Sequence, residues 1–226
     1  NTTGANNAAF GRATLENNTT GAQNTAVGFK AMQLSTEGNH NTGIGAFTLD
    51  ANTTGSQNTA VGRDALGANT TANNNTAVGR DALQNNTTGT QNTATGRGAL
   101  AATTTSNNNS AFGYAALNLN TTGRGNTAVG DEALGDNTTS DFSTAVGYLA
   151  LSNSTGEKNT CIGTSSGDQI TTGSKNTIIG RYNGNQGSLD IRTSSNRVVL
   201  SDGDGSPRMY IDNNGDMKFP GSNVDA

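Results

Sequence analysis

This chain lacks most of what a catalytic or metal-binding domain is built from. It has no Trp, two Pro, one His and one Cys, and its aromatics amount to 4% of 226 residues. A single cysteine, Cys161, excludes a disulfide framework within the chain. With one His and one Cys, a zinc site of the usual ligand set within one chain is excluded as well. Charge is sparse at 13%, with a net of −4, so neither a basic nucleic-acid surface nor the high-charge signature of disorder is present. No apolar run reaches about 18 residues, the length a membrane-spanning helix needs.

What fills the space is Asn, Thr, Gly and Ala, arranged in a repeat. The pentapeptide Asn-Thr-Ala-Val-Gly starts at Asn24, Asn58, Asn75 and Asn126, and looser copies start at Asn7, Asn41, Asn92, Asn109, Ser143, Asn159 and Asn176. Successive starts are 17 residues apart, with one step of 16 from Ser143 to Asn159. A strict short period predicts one small unit stacked on its own copies, a solenoid. The full unit reads Asn-Thr-Ala-Val-Gly-x-x-Ala-Leu-x-x-Asn-Thr-Thr-Gly-x-x. Asn, Thr and Gly are poor helix formers, and 17 residues keep no single helical face together, whereas short strands separated by Gly and Asn corners fit. The predicted fold is therefore all-β: a parallel β-solenoid or β-roll of coils about 17 residues long, rising at the strand spacing of about 4.8 Å. Stacked Asn columns predict side-chain ladders along the rod.

Neighbouring strand residues point to opposite faces. If the bulkier Val27 faces its own coil, Ala26 faces out. The small column then forms an apolar stripe for contacts between chains: Ala26, Ala60, Ala77, Ala94, Ala111, Ala128, Ala145, Cys161 and Ile178. One Val and one Leu per coil make a thin core, which strengthens the expectation of assembly about that stripe. The array is expected to span residues 1–180 as eleven coils, opening in mid-repeat with Asn1-Thr2-Thr3-Gly4 as if cut from a longer array. In the last coils Gly167 and Gly184 take the Leu slots, Ile170 replaces the corner Asn, and Ile178 enters the Ala column. Residues 181–226 lose the period and read as alternating strands joined by Asp202-Gly-Asp-Gly-Ser-Pro207 and Asp212-Asn-Asn-Gly215, a small β-meander that caps the solenoid.

The NTAVG…AL…NTTG array resembles those of phage tail-fibre proteins and of bacterial fibre adhesins with phage-type modules, and it is similar to the Asn-Ser-x-Ala-Ile-Gly coils in the heads of trimeric autotransporter adhesins. The segment from Val198 to Asp216 is similar to the stretch that precedes a self-cleaving chaperone in tail fibres. The chaperone's catalytic segment is not in this sequence, so no protease residues are carried over. The resemblance implies a homotrimer, an extracellular place on a virion tail fibre or bacterial surface fibre, attachment to a host or prey cell-surface glycan or protein, and no cofactor. The count of three comes from the resemblance alone.

Catalytic constellations are missing, and the chain is read as a non-enzyme with no catalytic, cofactor-binding or metal residues assigned. His40 sits where related copies have Asn or Gln, and reads as a surface substitution. Asp202 and Asp204 begin like a calcium loop, but the twelfth position from Asp202 is Asn213, not Glu, so a hairpin turn is the reading. Asp64, Asp81, Asp131 and Glu132, often beside Arg63 or Arg80, read as solvated rim charges. No receptor-binding residue is assigned, although specificity is expected where the pattern breaks: Phe29–Asn39, Tyr148, Tyr182, Tyr210 and the Asp202–Pro207 loop. The function expected is a structural or adhesive fibre segment; the alternative is an ice-binding or other scaffold solenoid, which the corner threonines (Thr19, Thr53, Thr70, Thr87, Thr121, Thr138) disfavour by not lying on a flat strand.

Overall fold

The computed structural model describes residues 2–220; Asn1 and residues 221–226, the end of the expected cap, lie outside the described residues. Eleven three-residue strands run from β1 (Ala8–Phe10) to β11 (Thr177–Ile179), and no helix occurs among the described residues. Each strand pairs in parallel with the next, in register, so that Ala60 lies on Ala77 and Val61 on Val78. Even the 16-residue step keeps this register, placing Thr144 on Thr160. The parallel β-solenoid of 17-residue coils is what the period predicts.

Each coil is narrow, and this decides which residues it encloses. Its interior is Leu, two alanines and two polar columns: in the coil from Asn75 these are Leu83, Ala77, Ala82, Asn75 and Asn86, all buried. The inward strand position therefore has room for little more than a methyl group. Ala26, Ala60, Ala77, Ala94, Ala111, Ala128, Ala145, Cys161 and Ile178 are fully buried inside their own chain. This corrects the expectation that they face other chains. The outward column is the Val one instead. The bulkier residue does not go inside because the leucine, reaching in from the next turn, already takes the volume. A local exchange shows how tight the fit is. Met32 replaces Leu and Gly43 replaces Ala, and a Cβ on Gly43 would stand 3.1 Å from Met32 Cγ.

The two Asn columns replace a larger apolar core with hydrogen bonds. Asn58 is typical of the first. Its side-chain oxygen accepts the backbone N–H of Asn75 at 3.0 Å, and its side-chain nitrogen donates to the Ala72 carbonyl at 2.8 Å. The ladder is thus mainly side chain to backbone, with direct amide pairs at some levels, such as Asn58 to Asn41 at 3.2 Å. In the second column the Asn69 amide donates to Asn52 at 2.8 Å and to the corner carbonyl of Ala72 at 3.2 Å. Buried polar groups satisfied in this way cost little, and they hold each corner to the coil above.

The solenoid does not end near Gly180. The strand β14 (Val198–Ser201) pairs in parallel with β11, Thr177 on Val198, so one further coil of 21 residues is present. Its extra length is a short hairpin, β12 (Asn185–Gln186) with β13 (Leu189–Asp190). The predicted antiparallel meander begins only after β14, with β15 (Pro207–Ile211) and β16 (Met217–Lys218). The core shifts volume as the leucines run out after Leu151. At Gly167 a side chain would meet Cys161 Sγ at 2.7 Å, and the space is filled by Ile170, Ile178, Ile191 and Tyr182, all fully buried. Tyr182 lies in the slot of the second alanine column, and its hydroxyl donates to the Leu189 carbonyl at 2.7 Å. Tyr182→Phe should therefore lower stability by about 1 kcal/mol, measured by denaturant melting, since it removes that bond while keeping the ring.

Candidate functional site

Each coil presents three outer surfaces. On the corner surface the first threonine of each pair is already engaged in several coils: Thr53 Oγ1 donates to the Thr70 carbonyl at 3.0 Å, and Thr70 and Thr87 repeat this one and two coils on. On the turn surface, after the repeat Gly, lie many of the charges. Arg63 pairs with Asp64 and Arg80 with Asp81, each at 3.0 Å, and Arg97 stands 5.7 Å over the Tyr114 ring. Such exposed pairs contribute about 0–1 kcal/mol each, as rim charges do.

The third surface is the outer side of the parallel sheet. It carries two columns, a Thr column (Thr25, Thr42, Thr59, Thr76) and the Val/Ile/Phe column (Val27, Ile44, Val61, Val78), which continue to β11 with no charged residue in either. Ile44, Val78, Phe112, Val129, Ile162 and Ile179 are between 37% and 48% exposed, far from the burial an ordinary core gives them. None of the strand threonine hydroxyls donates to another group among the described residues, in contrast to those at the corners. Sequence reasoning missed this surface by turning the strand over. The clue lay in the strict smallness of the Ala column, which marks a sterically confined site.

The remaining candidates fall away from any common centre. His40 is exposed on a left-handed turn with φ of 58°. Cys161 is buried, and desolvation pushes its thiol up to about 12. Because its folded value lies above the unfolded 9.0, the protonated thiol supports the fold below pH 9 and that support is lost as pH rises toward 12. The thiol should accordingly stay unreactive to an alkylating reagent at pH 8 and react only on unfolding, a result readable by mass spectrometry. At the β14–β15 turn, Asp202 accepts the backbone N–H groups of Asp204 and Ser206, and Arg208 holds its carboxyl below the usual range. That is a self-satisfied turn. No cluster of three metal-ligating side chains occurs among the described residues. Tyr182, expected as a possible pattern break, is core, whereas Tyr148 is 53% exposed; an open groove of about 370 Å³ is lined by Leu119, Leu149, Glu132, Asp136 and Asp168, without Tyr148 in its wall. Burial raises Asp168 above its ordinary value. In comparisons with known proteins, no family model matches the chain, and neither a curated protein nor a solved structure matches it.

Proposed function

We propose that this chain is a shaft segment of a trimeric, non-catalytic extracellular fibre, of the kind carried by virion tails or bacterial surfaces. It presents or forms an element that attaches to a host or prey cell-surface glycan or protein. The observation that carries this reading is the uncharged outer sheet face running the length of a rod whose charges lie elsewhere. A thin solenoid with an apolar stripe along its whole length is suited to side-by-side association. Its repeating surfaces offer no constellation for chemistry among the described residues. The exposed ring of Tyr148 on the turn surface is a place where a sugar ring could stack. A glycan array probed with the labelled chain tests the attachment: binding to a defined surface glycan, reduced by Tyr148→Ala, is the expected result. No binding to glycans or to cell-surface protein overturns it.

One observation favours a second reading. The strand threonines, unlike the corner ones, form a flat column with free hydroxyls beside methyl-bearing side chains, the arrangement an ice-binding face requires. Clear thermal hysteresis would place that reading first; its absence leaves the fibre.

A further inference from the structure

The trimer reading leaves open which surface of the rod meets its copies, and the structure points to one. We infer that the outer sheet face, the Thr and Val/Ile/Phe columns from Thr25–Val27 to Thr177–Ile179, is the contact between copies of this chain, packed parallel and level on level. The inference rests on the trimer reading, since a cyclic assembly about the rod axis sets each level against the same level of its neighbours.

Four features single out this face. It carries no charge over its whole length, whereas solvent-facing sheet surfaces are normally polar and guarded by charge. The competing surfaces are otherwise engaged: at the corners Thr53, Thr70 and Thr87 bond along the rod, and the turn surface holds the ion pairs Arg63–Asp64 and Arg80–Asp81. The strip, three residues wide and running from Thr25 to Ile179, measures roughly 45 Å by 10 Å, about 450 Å², a continuous uncharged patch of the size that marks an interaction site. Its relief also has one irregular step. Phe112 stands directly above Thr95, a large side chain beside a small one in a column otherwise Val or Ile at neighbouring levels. A copy shifted by one coil would set Phe112 against the wrong level, so this step selects a single register.

The test is disulfide formation between chains. Native Cys161 is fully buried and contributes no background. Val78→Cys, carried into the intact chain and mildly oxidised, should shift to twice the chain mass on a non-reducing gel. The exposed corner variant Thr88→Cys should not shift. When Val78→Cys and Val129→Cys chains of different tag lengths are co-assembled, each should link only to its own kind. Val78→Glu should lose assembly while keeping its far-ultraviolet circular dichroism. If the chain is trimeric but Thr88→Cys links and Val78→Cys does not, the face is wrong and the trimer stands. Mixed Val78–Val129 links would overturn the level-on-level register. A wild-type chain that is a monomer removes the trimer reading itself, and this inference with it.

Discussion

Ala77→Glu should unfold its coil, while the neighbouring Thr76→Glu should leave it folded. Ala77 is fully buried between Leu83 and the stacked alanines Ala60 and Ala94, in a slot that holds little more than a methyl. A carboxylate there has neither space nor a cationic partner, and burying an unpaired charge costs about 5 kcal/mol. For a chain of this size that is a fall in melting temperature of roughly 10–20 °C. Thr76 points outward from the same strand, so a carboxylate there leaves the coil interior untouched; it sits on the face inferred to meet other copies, and any loss of assembly is read by mass while the chain's own fold is kept. Circular dichroism melts of the two variants measure the difference. Equal melts, or a larger loss at Thr76, would reverse the inside and outside assigned to every strand.

Gly79→Ala should destabilise the rod nearly as much, for a backbone reason. Gly79 has φ of 133°, a region that side chains rarely adopt, and an added Cβ would lie 2.6 Å from the Gly96 carbonyl oxygen and 2.7 Å from its carbon. Both obstacles are main chain of the next coil, so neither can swing aside. Strain and overlap together should cost about 3–5 kcal/mol. The control is Gly203→Ala in the β14–β15 turn, where a Cβ meets nothing within 4 Å. That variant should melt within about 0.5 kcal/mol of the parent.

Much of the architecture was legible in the chain because a solenoid writes its geometry as a period. The recurrence of Asn24, Asn41 and Asn58 every 17 residues sets the coil length, the parallel register and the ladders. Which side of the strand is inside was not legible from hydrophobicity. Val is the more apolar residue, but the interior volume is set by Leu83 and its equivalents, and only packing reveals that Ala77 alone fits beneath them. The last coil was hidden for a different reason. Its repeat is broken by the β12–β13 hairpin, yet β14 still adds to the stack, because backbone pairing needs an extended edge and no particular side chains. The outer apolar face was partly legible. An outward apolar stripe was expected from the alternation of the strand, but it was placed on Ala26 where the structure places Val27 outward.

The same strand thus divides its labour: Ala77 closes the coil and Val78 faces outward. The most direct measurement of the account built on this is the mass of the intact chain at micromolar concentration, by light scattering. A value three times the 22.8 kDa of one chain is predicted, falling to one chain mass for Val78→Glu with its circular dichroism unchanged. A wild-type mass of one chain, with the sheet face left open to water, would contradict it.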